Sequence, residues 1–477
     1  MAGTQNIFPD APVDVVVMAA GKGTRMKSKL PKVLHRLAGR ALVQHVVDTA
    51  AELHARQVTV ITGHGATEVE AALAGNTGAR GQFDLNFVRQ EPQLGTGHAV
   101  QQTVPVLRDD AVVVVLSGDV PLTQPDTLTQ LITACAGDKL ALLTIDFANP
   151  TGYGRIVRAG DKVQAIVEQK DATPEQLKIT EVYSGIMAVP AAQLKKWLAR
   201  LDNKNAQGEF YLTDIVKFAV ADGVPVVAHK IHDAVQVAGV NSPVQLAELE
   251  RAYQKRVALQ LMEQGVRLAD PARLDVRGSL NCAQDVSIDV NCVFEGQVTL
   301  GEGVQIGPNC FIKNVNIAVG AVIHPFTHIE GGAPGSKDAI EVGAGALIGP
   351  FARLRPGAKL GAEVHIGNFV EVKNSTLAKG AKANHLAYLG DATVGERVNY
   401  GAGSITANYD GANKHRTVIE ADVHIGSNCV LIAPLTIGAG GTVGGGSTLT
   451  KDAPPQALTV ARARQVSIAN WKRPAKK

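Results

Sequence analysis

Aromatic side chains are scarce in this chain: Phe, Tyr and Trp together make up 4% of its 477 residues, and only two are Trp. That excludes a fold resting mainly on large rings, although 45% of the residues are hydrophobic, an ordinary share for a globular protein. Charge of one sign is lacking too, since 47 Lys and Arg stand against 44 Asp and Glu. No global field points to nucleic acid. The locally basic tail Trp471–Lys477 reads as a solvated terminus. Near the start the longest apolar run, Val15–Ala20, is too short for a signal segment or a membrane span and is better explained as a strand. No CxxC spacing occurs. The five cysteines, Cys135, Cys282, Cys292, Cys310 and Cys429, are odd in number and several occupy positions suited to a small apolar residue, so reduced core thiols are expected. A soluble cytoplasmic protein of two or three domains follows, because the chain is too long for one core.

What is abundant is glycine, 49 residues, and it comes with a rhythm. An aliphatic residue returns every sixth position at Val342, Ile348, Leu354, Leu360, Ile366 and Val372. A helix repeats near 3.6 and a strand at 2, so neither accounts for this beat. Three hexads forming one triangular coil of a parallel β-helix do, with one inward aliphatic filling each face. The beat recurs at Leu300, Ile306 and Ile312, and at Ile425, Leu431, Ile437, Val443 and Leu449. Glycine follows the inward residue at 343, 349, 361 and 367, which predicts tight turns there. Arg355 and Lys373 break that rule one whole coil apart, so they are expected to stack on one edge as a cationic ladder suited to phosphate.

In chain order, residues 1–12 read as a leader. Apolar strands are predicted at Asp14–Ala20, Gln57–Gly63, Leu85–Gln90, Ala111–Gly118, Leu140–Phe147, Val182–Val189 and Val224–Ile231, alternating with helical stretches such as Val33–Leu53. This is an α/β pattern with a mostly parallel sheet. Val244–Gln264 predicts a connecting helix with Pro243 in its first turn. The expected domains are 1–242, a linker helix over 243–265, and 266–477, with the repeat running from about 270 to 452. Two segments, Glu330–Ile340 and Thr406–Ala421, interrupt the hexads, and such loops often carry function.

Gly21-Lys22-Gly23-Thr24-Arg25 follows the first strand but fits neither GxxxxGK[ST] nor GxGxxG. Alone it reads as well as a tight turn. Beside Arg25 and Lys32, however, its backbone N–H groups would cradle anionic oxygens. Leu116–Pro121 ends a strand with Asp119 at its C-terminal edge, where a metal-nucleotide would sit.

The motifs Met18–Met26 with Pro31-Lys32, Gln93–His98, Gly118–Pro121, Gly152–Ile156 and Gly239–Asn241 resemble those of the sugar-1-phosphate nucleotidyltransferases. Together with the hexads, nearly the whole chain is similar to the family of bifunctional bacterial N-acetylglucosamine-1-phosphate uridylyltransferases/glucosamine-1-phosphate N-acetyltransferases. The resemblance implies a Rossmann-like nucleotidyltransferase domain, a connecting helix and a left-handed parallel β-helix of hexapeptide repeats. It implies uridylyl transfer from UTP to N-acetylglucosamine 1-phosphate, with Mg²⁺ on Asp119 and Asn241 and with Arg25 and Lys32 offsetting phosphate charge. Met18, Ala19, Ala20, Gly21, Gln90, Gly95, Thr96, Ser117 and Gly118 would take the nucleotide, and Gly154, Glu168 and Tyr183 the sugar. Ser117 and Tyr183 stand where Tyr and Asn are common in the family.

For the repeat region the resemblance implies acetyl transfer from acetyl-CoA to glucosamine 1-phosphate. His385 would be the general base, and Glu371 is expected to orient its ring. Arg355, Lys373, Tyr388 and Asn399 would bind the amino-sugar phosphate. Ala402, Asn408, Tyr409, Ser427, Gly445 and Arg462 would bind acetyl-CoA, Gly445 standing where Ala is common. A homotrimer is implied, and neither nucleic acid nor membrane insertion. The alternative is a nucleotidyltransferase whose β-helix only assembles or regulates. Arg355, Lys373, His385 and Asn408-Tyr409 discriminate against it, because a purely structural solenoid has no reason to put cations at glycine corners.

Overall fold

The computed structural model describes residues 11–74 and 83–474. Residues 1–10 of the expected leader and 475–477 of the tail lie outside them, whereas Pro12 is already held, its carbonyl accepting from the Val112 N–H at 2.9 Å. Packing divides the chain into two units, up to Tyr253 and from Gln254, so the division falls inside the helix Pro243–Glu263.

The first unit is a nine-stranded sheet covered by helices. β1 (Val13–Met18) has β4 (Gln57–Thr62) on one side and β6 (Val112–Ser117) on the other, both parallel, and β5 (Asp84–Arg89) extends the row beyond β4, while β2 (Arg36–Leu37) and β3 (Arg40–Ala41) pair apart from it. Nearly every residue of β1, β4 and β6 is buried, because helices cover both faces; that is why these strands read as unbroken apolar runs. β7 (Leu140–Asp146) and β10 (Glu181–Pro190) continue the sheet past β6, with β10 antiparallel to both neighbours, and β11 (Val226–Ile231) is its far edge. An antiparallel hairpin, β8 (Arg155–Ala159) with β9 (Lys162–Val167), leans on β10 and had no counterpart among the predicted strands.

The predicted helix Val33–Leu53 is corrected in its first half. Arg36–Leu37 (β2) and Arg40–Ala41 (β3) form a two-residue hairpin, and the helix is Leu42–Glu52. Ala38 and Gly39 both take positive φ, 49° and 81°, as a hairpin turn of that twist requires. Alanine in the first turn position gives no sequence signal.

At the opposite end of the strands from the glycine turn, Asp14 is fully buried and accepts from Arg56 Nε at 2.9 Å, Arg56 Nη2 at 2.7 Å and Gln57 Nε2 at 2.9 Å. Removing one side of such a pair strands the other. Asp14→Ala is therefore expected to destabilise this unit by about 3 kcal/mol, read as a lower urea midpoint in its far-UV transition.

The second unit is a parallel β-helix. Val342 pairs with Leu360 and then Leu377, Ile348 with Ile366 and then Ala383, and Leu354 with Val372 and then Leu389, one column per face. All the aliphatics of the hexad pattern are buried in one continuous core. Of the glycines that follow them, Gly349 takes a positive φ of 103°, as the expected tight turn requires, whereas Gly343 and Gly367 are explained differently. A Cβ on Gly343 would sit 2.3 Å from the Gly361 carbonyl carbon, and one on Gly367 1.9 Å from the Asn384 carbonyl oxygen. Close approach of the next coil, rather than a tight turn, excludes a side chain there.

Four thiols are buried and Cys282 is half-buried; none is in a disulfide. Burial pushes the Cys282 thiol up to about 12. The native chain is thus expected to resist alkylation by iodoacetamide at pH 8 and to take five labels after denaturation; rapid native labelling would contradict the buried placement.

Candidate active sites

In the first unit the C-terminal ends of β1 and β6 meet: the Gly118 N–H donates to the Met18 carbonyl at 2.9 Å. The segment Gly239–Asn241 is tied to the same place by the Val240 N–H, which donates to the Asp119 carbonyl at 2.9 Å. Asn241 thereby reaches Asp119 from a remote part of the sequence. Lys32 stands between them. Its ammonium forms an ion pair with Asp119 Oδ2 and donates to Asn241 Oδ1 at 3.1 Å.

Two cavities open from this point. A cleft of about 910 Å³ is lined by Met18, Ala19, Ala20, Gly21, Lys32, Gln90, Gly95, Thr96, Ser117 and Asp119 among others, which brings together most of the residues expected for the nucleotide. A smaller one of about 290 Å³ is lined by Arg25, Asp119, Tyr153, Ser184 and Asn241 among others. Asp119 is common to both. Glu168 and Gly154 adjoin each other beyond these cavities, a Cβ on Gly154 lying 3.6 Å from Glu168 Oε1. Glu168 accepts from Thr213 Oγ1 at 2.9 Å, and burial holds its carboxyl above the usual range. Tyr183 lines neither cavity. It is buried, its hydroxyl meets no hydrogen-bond partner, and burial followed by the Glu168 charge pushes the phenol well up.

Sequence reasoning named Gln93 only as part of a motif and gave it no role; its Nε2 donates to the Ala20 carbonyl at 2.5 Å and so ties the glycine turn to the opposite wall of the large cleft. Passed over altogether were Glu91 and Glu209, acids in that wall, and Thr213. Gln90 donates from Nε2 to the Gly95 carbonyl at 2.9 Å, closing the turn within that wall.

In the second unit one corner of the solenoid carries Asn368, His385, Ala402 and Ser427 on successive coils. The following residues, Leu386, Gly403, Asn428 and Gly446, donate back to their carbonyls at 3.0, 3.3, 2.7 and 2.8 Å. Gly445 is next in that column, and Arg462 Nη1 donates to its carbonyl at 2.7 Å. A Cβ on Gly445 would meet the Ser427 carbonyl at 3.4 Å, an ordinary contact, so alanine would also fit.

The expected orientation of His385 by Glu371 is corrected. Register places Asn368 opposite His385, and Asn368 Oδ1 lies 2.8 Å from His385 Nδ1. Glu371 instead lies opposite Arg353 and Tyr388 and pairs with Arg355 Nη1 at 2.7 Å. With an amide oxygen as acceptor, Nδ1 carries the proton and Nε2 is left as the basic nitrogen.

The expected ladder forms, since the Arg355 N–H donates to the Val372 carbonyl of the coil that carries Lys373, but its two members differ. Arg355 is matched by Glu371. Lys373 lies against Lys414, and that contact, followed by burial and the Arg355 charge, holds its pKa below the usual lysine range. Lys414 comes from the non-hexad segment, which is an ordered hairpin: Tyr409 bridges to Lys414, and the Asp410 carboxylate accepts the N–H groups of Ala412 and Asn413 at 2.8 and 2.7 Å. His415 adds to these in holding Asp410 well below the usual carboxylate range. Asn408 donates to Asp391, which also accepts from Asn374, whereas Tyr409 is exposed. Asn399 lies exposed beside Lys382 on the face that ends at the His385 corner. Neither Asn368 nor Lys414 was singled out from the sequence.

Residues 15–176 match the MobA-like NTP transferase domain family, and residues 339–374 match the bacterial transferase hexapeptide family, six repeats. Across the chain, a "Bifunctional protein GlmU" from Albidiferax ferrireducens is 86% identical over 464 residues, covering 97% of this chain and all of that one. The chain belongs to the GlmU family. Relatives of the same name from Polaromonas naphthalenivorans and Acidovorax ebreus are 74% and 73% identical, covering 98% and 97% of this chain and 98% of each of theirs. The match spans both units, so this GlmU-family chain has the two transferase units that the name bifunctional requires, a Rossmann-like nucleotidyltransferase unit and a hexapeptide β-helix. Among the described residues no helix is long and apolar enough to cross a membrane.

Proposed function

We propose that the β-helix acetylates glucosamine 1-phosphate with acetyl-CoA and that the first unit then transfers uridylyl from UTP to the N-acetylglucosamine 1-phosphate formed, releasing pyrophosphate and yielding UDP-N-acetylglucosamine. What carries the reading is the 86% identity to a bifunctional GlmU over both units. The geometry supplies groups for each step.

For uridylyl transfer, a phosphate oxygen of the sugar attacks the α-phosphorus of UTP and pyrophosphate leaves, a reaction of positioning and charge neutralisation. The large cleft suits the nucleotide, with Gln90, Gly95 and Thr96 at its base end and the turn at Gly21 at its phosphate end. The small cavity with Arg25 suits the sugar phosphate, and the two meet at Asp119, which supports attack beside it. Asp119 Oδ2 and Asn241 Oδ1 are hard oxygen donors already converging on one cation, the Lys32 ammonium, so the pair fits Mg²⁺ with substrate oxygens and waters as its other ligands. When bound there, Mg²⁺ would offset charge on the phosphates.

For acetyl transfer, His385 Nε2 takes a proton from the amine as nitrogen attacks the thioester carbonyl; the C–S bond breaks and coenzyme A leaves as the thiol. Asn368 positions the ring. Lys373 and Lys414, with Arg355 and Tyr388, suit the sugar phosphate, and the corner from Ala402 to Arg462 suits the cofactor. We also propose a cytoplasmic homotrimer, in keeping with the hexapeptide repeat.

Substrate choice tests the reading. With UTP and Mg²⁺, pyrophosphate release is expected from N-acetylglucosamine 1-phosphate at a rate at least about a hundredfold above that from glucose 1-phosphate. Equal rates would contradict it.

A further inference from the structure

Lys32 holds a position that a simple phosphate ligand has no need to hold. Its side chain is largely buried, as is that of Asp119, and its ammonium is bonded to the two side-chain oxygens proposed for the metal. Asp119 contributes the negative charge, Asn241 the neutral donor, and the ammonium satisfies both. A Mg²⁺ would bind these oxygens at about 2.0–2.1 Å and cannot share the space with a Lys nitrogen bonded to the same two atoms. The two cations also repel each other in a partly dehydrated site.

Lys32 has somewhere else to go. It lines the large cleft together with Gly21 and Lys22, so a flexible four-carbon stem can carry its ammonium from Asp119 towards a triphosphate lying there. Asn241 belongs to the small cavity and is absent from the lining of the large one, so the movement separates Lys32 from Asn241.

From this we propose that Lys32 is a displaceable counter-cation of the metal site. In the nucleotide-free protein it keeps Asp119 and Asn241 together and keeps a divalent ion out. When UTP arrives, its phosphates draw the ammonium away and open the two oxygens, so metal enters with the nucleotide and not before it. Lys32 would thus set the order of binding as well as neutralise phosphate. The inference rests on the uridylyl-transfer reading above; a wild-type chain that released no pyrophosphate would overturn that reading, while the metal titration below would still decide the role of Lys32.

The probe is Mn²⁺ alone, titrated into the full chain without nucleotide and followed by the EPR signal of the free ion. Lys32→Met keeps the stem and removes the charge, and is expected to bind Mn²⁺ roughly tenfold or more tightly than wild type, because neither repulsion nor competition remains. Lys32→Met/Asp119→Asn is expected to lose that gain, which assigns it to this pair of oxygens. Thermal unfolding checks that each variant is folded, and Lys32→Gln serves in the same comparison if Lys32→Met is not. Wild-type Mn²⁺ affinity equal to or above that of the folded charge-free variant overturns the proposal, as does a gain that survives Asp119→Asn.

Discussion

Asp119→Ala is expected to lower pyrophosphate release from UTP and N-acetylglucosamine 1-phosphate by roughly a thousandfold, about 4 kcal/mol of transition-state stabilisation, while acetyl-CoA thiol release stays at the wild-type rate. The size follows from position. Asp119 is the residue that lines both cavities, so in the proposed uridylyl transfer it would stand beside the attacking and leaving oxygens. It is also the only charged member of the pair that converges on Lys32. Removing it leaves Lys32 without its anionic partner and Asn241 without its charged neighbour. Because these interactions tighten as charge builds on the phosphates, kcat is expected to fall more than KM rises. An effect confined to KM would mean that Asp119 merely binds substrate. A fall in both activities would mean that it holds the fold.

His385→Ala is expected to lower acetyl transfer by about 10²- to 10⁴-fold, the usual range for a positioned general base, with uridylyl transfer unaffected. His385 lies in the open on its corner, so truncation leaves no cavity and little structural cost. Asn368→Ala should lose only about tenfold in the same rate, because the bond at 2.8 Å that holds the ring is gone while the base remains. If Asn368→Ala matched His385→Ala, the amide would be doing more than positioning the ring and the assignment would be wrong.

The solenoid was legible because its cause is one-dimensional. A prism that must be filled at every coil forces an aliphatic residue back at a fixed interval, and Val342 to Val372 display that interval without any tertiary information. The buried strands Val13–Met18 and Val112–Ser117 were legible for a similar reason, as continuous apolar runs. What the spacing could not convey was phase. Glu371 and Asn368 both precede His385 at about one coil, and only the register of the strands decides that Asn368 faces it while Glu371 faces Arg353. Lys414 was hidden in a segment without hexads, where a hairpin held by Asp410 brings it to Lys373. The convergence of Asp119 and Asn241 was implied only through motif resemblance, and the meeting of Lys32 with Asn241, 209 residues apart, has no local signal at all. The hairpin at Ala38-Gly39 was missed because alanine adopted a backbone conformation it seldom takes.

If one chain performs two transfers in series, acetyl first, pyrophosphate release depends on thiol release. The most direct measurement follows free thiol and pyrophosphate together in the wild-type chain supplied with glucosamine 1-phosphate, acetyl-CoA, UTP and Mg²⁺, and then with acetyl-CoA or UTP left out. Equal final amounts of thiol and pyrophosphate are expected in the full mixture with UTP in excess, thiol alone when UTP is absent, and neither product when acetyl-CoA is absent. Pyrophosphate without acetyl-CoA would contradict the order of the two reactions. Pyrophosphate from N-acetylglucosamine 1-phosphate with no thiol ever released from the amino sugar would reduce the β-helix to a scaffold.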